Sequence, residues 1–265
     1  MQQNHVIVIA LAALAFAGCR REDKTPLNND YTAAMDNSLA EGMFNDVLKQ
    51  ADDAAADGGL RGMMDGCVDT VVIDTSVMPH TMLIDFGPVN CTGNDGRQRR
   101  GSILVTFTGP YRAEGTVITL TPQNYYVNDY HIQGLKTVTN LGLDGDGHMH
   151  FGITVNGTVT APNNAWTSTH QAQRVRTWLQ GEETMTPWDD VYLITGTGNG
   201  VNRHGLAYTL TITQALRVEI GCWYIVSGKL EITPQDLPTR YVDFGTGSCD
   251  GSVSVTVNGT TYYFG

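Results

Sequence analysis

The chain has 265 residues, enough for one large domain or two small ones. Hydrophobic residues make up 41% of it, which sets aside a disordered polymer and leaves material for a sizeable core. The formal net charge of -11 argues against a nucleic-acid partner, because an acidic surface repels a phosphate backbone.

Residues 1–18 read as an export leader. Val6 to Ala17 is an unbroken apolar run, too short to cross a bilayer, and it ends in Phe16-Ala17-Gly18-Cys19. This ending resembles the lipobox of bacterial lipoproteins. The resemblance implies that Cys19 is lipidated, becomes the new N-terminus and anchors the chain in the cell envelope, at the outer membrane, on its periplasmic face or at the cell surface. Two or three acyl chains make such an anchor stable. Residues 19–30, with Arg20-Arg21-Glu22-Asp23-Lys24 followed by Thr25-Pro26, form a solvated tether.

Residues 31–57 are predicted to form one amphipathic helix. Met35, Leu39, Met43, Phe44, Val47, Leu48, Ala51 and Ala55 recur at three- and four-residue steps, with Glu41, Asp46, Asp52 and Asp53 on the opposite, solvated face. Asp30 or Thr32 caps the start and Gly58-Gly59 ends it. The apolar stripe packs on a sheet; cofactor binding is the weaker reading.

From Cys67 onward the period changes to two. Ile103, Val105 and Phe107 alternate with Thr106 and Thr108; Tyr208, Leu210 and Ile212 alternate with Thr209, Thr211 and Thr213. Asn156-Gly157 and Asn258-Gly259 suit two-residue hairpin turns, and Asp144-Gly145-Asp146-Gly147 a tight loop. Roughly ten to twelve strands follow without a helical crossover. The expected fold is therefore mainly β: a large antiparallel meander, as a twisted sheet, sandwich or partial barrel, with one N-terminal amphipathic helix, all in a single domain 31–265.

Two segments, 67–93 and 222–251, repeat one pattern. Each runs from a Cys through a β segment and a Pro-containing turn to Ile or Val, Asp-Phe-Gly, three residues, a second Cys, one residue and Gly. Folded as hairpins, their midpoints fall at Pro79 and between Gln235 and Asp236, on the turn residues. This symmetry pairs Cys67 with Cys91 and Cys222 with Cys249, out of three possible pairings. An exported location lets the bonds form, and each closes a loop of about 25 residues, worth roughly 2–4 kcal/mol.

Asp85-Phe86-Gly87 and Asp243-Phe244-Gly245 spell the kinase magnesium motif, but no other kinase element accompanies them. Strand alternation ending in a Gly turn is the plainer reading. Gly196-Thr197-Gly198-Asn199-Gly200 reads as a mobile hairpin loop, since no helix follows it to cradle phosphate. Asp144, Asp146, His148 and His150 are the best metal candidates, suiting zinc better than calcium; otherwise no cofactor is implied. Glu182-Glu183 and Asp189-Asp190 supply carboxylates of the kind glycosidases use.

Residues 166–179 place Trp166, His170, Arg174, Arg176 and Trp178 on one face of a strand. Neither face is apolar. The segment is expected to be an edge strand kept soluble by charge, or part of a wet ligand-binding surface where Trp stacks on sugar rings and Arg grips carboxylates.

Asp36-Asn37-Ser38 with Ala40-Glu41-Gly42, the run Asn90 to Arg97, Asn124 to Asn128, and Asp189 to Gly196 together resemble a family of uncharacterised Bacteroidetes lipoproteins. The likeness covers most of the mature chain. It implies compartment and phylum but brings no activity. Function is therefore expected to be non-catalytic binding of a glycan or another envelope protein. The alternatives are a carboxylate- or metal-dependent hydrolase and a structural envelope component.

Overall fold

A computed structural model describes residues 30–56, 66–184, 189–222 and 224–264. The leader 1–18, Cys19, the tether as far as residue 29 and Gly58-Gly59 lie outside the described residues. Helix α1 spans Thr32–Ala56. The strands are β1 (Thr70–Asp74), β2 (His80–Asp85), β3 (Cys91–Thr92), β4 (Gln98–Phe107), β5 (Val117–Val127), β6 (Tyr130–Leu143) and β7 (Met149–Thr160). They continue as β8 (Thr167–Gln180), β9 (Val191–Val201), β10 (Ala207–Glu219), β11 (Ile225–Pro234), β12 (Arg240–Thr246), β13 (Val253–Val257) and β14 (Thr260–Phe264).

All fourteen strands belong to one antiparallel sheet that does not close. Neighbours in sequence are neighbours in space from β4 to β14, with the two-residue β3 added beside β4. The meander follows from the turn residues: most of the connections between strands carry Gly, Asn or Asp, and the next strand returns alongside. Asn258 and Gly259, both with positive φ, make the last of these turns. Among the described residues no helix is long and apolar enough to cross a membrane.

The helix lies across the inner face of the sheet. Its exposed residues form a single line, Met35, Ser38, Gly42, Asn45, Lys49, Asp52 and Ala55, and the rest of its surface is wholly or partly covered. This corrects the expected helix faces. Met35 and Ala55 point to water, whereas Asp46, assigned to the wet side, is buried, as is Asp36. The physical reason is that the helix sits in a trough, so that much more than one stripe faces protein. Phe44, Val47 and Ala54 pack with Ile84, Ile103, Tyr125 and Phe151 in one core cluster. At the other end Ala33, with Tyr31 and Ala34, packs with Leu210, Ile232 and Val242 in a second.

Glycines make the trough deep enough. Asn156-Gly157, expected as a turn, instead lies inside β7, where Gly157 pairs with Gly134 and with His170. A Cβ on Gly157 would stand 2.0 Å from the Phe44 ring. Gly196 to Gly200, expected as a loop, is part of β9. Alternate residues of a strand share a face, so Gly196, Gly198 and Gly200 all turn inward. There a Cβ on Gly198 would meet the Arg174 guanidinium at 3.2 Å, and one on Gly200 the Tyr208 hydroxyl at 2.6 Å. The runs misread as turns and loops are clearances for large side chains.

The repeated cysteine units are the β1–β2 and β11–β12 hairpins. Disulfides join Cys67 to Cys91 and Cys222 to Cys249, with Cα separations of 5.4 and 5.8 Å. The shared Asp-Phe-Gly has the same geometry in both. The Asp85 and Asp243 carboxylates each accept the N–H of the glycine two residues on, at 2.9 Å, and Gly87 and Gly245 take positive φ. Phe86 enters the main core and Phe244 packs on the second cluster.

Gly157→Ala should lower stability by roughly 1–3 kcal/mol in urea unfolding, the cost of forcing an overpacked core to shift. Combining it with Phe44→Leu should give a loss smaller than the sum of the two single changes. In mild reductant the Cys222–Cys249 bond should open before Cys67–Cys91, because Cys249 is exposed whereas Cys67 is 4% exposed. Alkylation followed by peptide mass analysis reads the order.

Candidate functional site

Strand β8 lies in the middle of the sheet, paired with β7 along one side and β9 along the other. This overturns the edge-strand expectation. Its charged face, Ser168 to Trp178, is turned toward the helix and mostly buried, while Thr167, Thr169, Gln171 and Gln173 face out. The face looked wet in the sequence because its counter-charges sit on α1, more than a hundred residues earlier.

The five residues expected to bind a ligand fall into three groups. Trp166 lies at the rim, under the Arg203 guanidinium, 4.0 Å from its ring centroid. Arg203 in turn grips the buried Asp36 carboxylate through its backbone N–H and Nε, both at 2.7 Å. His170 and Arg174 stand together under mid-helix. Arg174 Nη2 donates to Glu41 Oε1 at 2.6 Å, and the fully buried His170 ring stacks on Phe44, with Nε2 3.6 Å from the same oxygen. Arg176 and Trp178 form the third group, with Tyr111, Phe151, Tyr192 and Asp190. Arg176 donates to the Tyr111 hydroxyl and lies over the Phe151 and Tyr192 rings at 5.1 and 4.8 Å. Asp190 accepts from Trp178 Nε1 at 3.2 Å and from the Tyr192 hydroxyl at 2.9 Å. The sheet thus gathers these side chains against its own helix and against one another.

The electrostatics of this interior follow from burial opposed by pairing. Asp46 accepts from Arg99 Nε and Nη2, from Arg97 Nη1 and from the Tyr125 hydroxyl, at 2.5 to 3.2 Å. Burial, reinforced by the Asp46 charge, pushes the Tyr125 phenol well above its ordinary value. The hydrogen bond from Arg99 holds Asp95 at about 2. Lys136 donates to the Phe44 carbonyl and to Asn45, at 3.1 and 3.0 Å, and burial lowers it to about 8. Burial also lowers His170, opposed by Glu41 and assisted by Arg174 and Lys136.

Asp144, Asp146 and His148 sit on the β6–β7 turn, and His150 is the second residue of β7. The Asp144 carboxylate caps that turn, accepting the N–H groups of Asp146 and His148 at 3.0 and 2.9 Å, and His148 Nδ1 lies 3.8 Å from it. The His150 ring is placed instead on the Gly142 carbonyl at 3.1 Å. Among the described residues no group of three His, Cys, Asp or Glu converges as a metal set. Of the acidic pairs, Asp190 is the buried acceptor named above and Asp189 accepts from the Thr184 hydroxyl at 3.0 Å.

The outer face is a different surface. Cross-strand register aligns Thr81, Thr106, Thr119, Thr137 and Thr154 from β2 to β7, then Gln173, Thr197 and Thr211 on β8 to β10. Seven of these eight consecutive strands present threonine in one row, at a spacing of about 4.8 Å. Beside it runs a second row, Asn156, Gln171 and Asn199, continued by Thr209. Between the two rows lies a groove of about 370 Å³ over β7, β8 and β9, and none of its lining residues is charged.

Further along the same face a cleft of about 320 Å³ opens between Arg100, Tyr126 and His131 and the turn Pro162–Asn164. Arg100 lies 3.8 Å from the Tyr126 centroid and His131 stacks on that ring at 4.4 Å. Arg100 also donates to Asn90 at 2.6 Å and to Asp129. Sequence reasoning missed both features. The signal was present in the alternate Thr, Asn and Gln of 154–158, 169–173 and 197–199, but Asn156 and Asn199 had been assigned to turns and loops. No family model, curated protein or solved structure matches this chain.

The folded His170 titrates below the unfolded value of about 6.5. The unfolded state therefore binds more protons as pH falls below about 6.5, and stability drops until the folded histidine also titrates. Denaturant unfolding between pH 7.5 and 5 should show this decline. His170→Gln should flatten it, leaving a smaller slope from His131, which burial and Arg100 also lower.

Proposed function

We propose that the chain is a non-catalytic carbohydrate-binding protein of the cell envelope, anchored through lipidated Cys19, that receives an uncharged glycan on the outer face of β7–β9. The observation carrying this reading is the charge-free groove bounded by Thr154, Asn156, Gln171, Gln173, Thr197 and Asn199. Amides and hydroxyls both donate and accept, as sugar hydroxyls do, so a neutral saccharide can exchange its water for them in either sense. Strands hold these groups at fixed spacing, which limits the ordering cost on binding. The acidic remainder of the molecule disfavours anionic polymers without affecting neutral ones. Arg100, Tyr126 and His131, on the same face, add a polar aromatic cleft for a chain that runs beyond the groove.

Wild-type protein should bind at least one neutral glycan on an array, confirmed by titration calorimetry. Gln171→Ala combined with Gln173→Ala removes two amides at about 0.5–1.5 kcal/mol each and should weaken binding roughly tenfold, with the thermal midpoint little changed. Equal binding by the double variant, or binding confined to acidic glycans, would sink this reading.

A further inference from the structure

We infer that α1, β8 and β10 enclose an internal hydration site, in which ordered water joins His170 and Tyr208 to Asn37 and Glu41. Both His170 ring nitrogens, the Tyr208 hydroxyl, Asn37 Oδ1 and Ser168 Oγ are buried and make no hydrogen bond to any described residue. Native interiors rarely leave one such atom unsatisfied, and here five come from one neighbourhood.

Their proximity follows from register and charge. His170 on β8 pairs with Gly200 on β9, and Gly200 pairs with Tyr208 on β10, so the three form one inward row. Ser168 is two residues along β8 on the same face. From above, Glu41 approaches His170 Nε2 to 3.6 Å, just too far for a direct bond. Asn37 is buried and stands one helical turn before Glu41, so it shares the side of the helix that faces this row.

Gly200 provides the room. A side chain there would collide with the Tyr208 hydroxyl and the Thr169 carbonyl, so only a glycine lets the phenol come down beside His170. The chemistry of the lining is balanced for water. The Tyr208 O–H and the N–H of neutral His170 need acceptors, while Asn37 Oδ1 and Glu41 can accept from a donor. One water taking hydrogen bonds from the Tyr208 hydroxyl and one His170 N–H, and giving two to Asn37 Oδ1 and Glu41, partners three of the five orphaned atoms, within the number of partners that buried waters usually have. This site is sealed beneath the helix and is separate from the glycan groove on the outer face.

A crystal structure of the full chain at a resolution that orders solvent should show water within hydrogen-bond distance of both His170 and the Tyr208 hydroxyl. The structure of Tyr208→Phe should lose a water from that position, with the ring and backbone unmoved. Imidazole nitrogen shifts should report a neutral, hydrogen-bonded His170 in solution at pH 7.5. A His170 ring bonded directly to Glu41 or Tyr208 with no density between them would overturn the inference, and so would an unchanged solvent pattern in Tyr208→Phe. Should that variant fail to fold, the wild-type density decides alone.

Discussion

The structure depends on guanidinium and ammonium groups of the sheet holding one helix. In order along α1, the Asp30 carbonyl meets Arg240 of β12, Asp36 meets Arg203 after β9, and Glu41 meets Arg174 of β8. The Phe44 carbonyl then meets Lys136 of β6, and Asp46 meets Arg99 of β4. The anchors advance steadily along the helix as the strands count down. Positions 30 to 46 cover about 24 Å of helix, while β12 to β4 spans eight strand spacings, about 38 Å. The difference of about 14 Å is shared between the two ends, where the long side chains of Arg240 and Arg99 reach inward to their partners. The anchors therefore fix the position of the helix on the sheet.

Their energetics make this arrangement selective. A charge taken out of water costs several kcal/mol, recovered only when its partner and remaining hydrogen bonds are in place. Asp46 is the clearest case, with four donor groups from three residues around a carboxylate that is wholly buried. Removing one member of such a pair costs about 3–5 kcal/mol, most of it the charge left behind. A helix displaced by one turn would strand every carboxylate at once, whereas an apolar stripe would tolerate the slip. The glycines are the steric side of the same constraint. Gly157 under Phe44 and Gly198 under Arg174 admit large helix-facing groups only at one setting.

What was legible in the sequence was local. Alternation of Val, Ile and Thr marked the strands, turn residues implied a meander, and the symmetry of 67–93 and 222–251 about their turns paired the cysteines. Each of those signals lies within about thirty residues. The misreadings all came from groups whose meaning depends on distant partners. Arg174 looked solvated because Glu41 lies 133 residues away in sequence. Asn156-Gly157 has hairpin chemistry, but its glycine answers a phenylalanine on the helix. Asp46 fell on the polar side of a helical wheel because a wheel cannot show that the sheet encloses more than one side. In the functional region the same limit applied: single strands showed wet faces, and only register aligned their threonines and amides into rows.

Taken together, the two faces of the sheet reverse the customary placement of charge. Six basic residues of the sheet and its loops are spent on the helix and the residue that leads into it, leaving the acidic excess to loops and rims. The outer face over the middle of β7–β9 is carried mainly by threonine, asparagine and glutamine, with Val175 and Val201 beside them. Threonine suits this position because its branched side chain favours the pleated backbone while its hydroxyl keeps the face wet. Lysine, the usual protection against sheet aggregation, is not needed here because β7, β8 and β9 are each paired with a strand on both sides. A face freed of charge in this way has no long-range field with which to attract a ligand. It must select by short-range hydrogen bonding, over an area set by how many strands lie side by side. Under the proposed glycan-binding reading, that favours a ligand that is neutral, polar and long enough to lie across several strands at once.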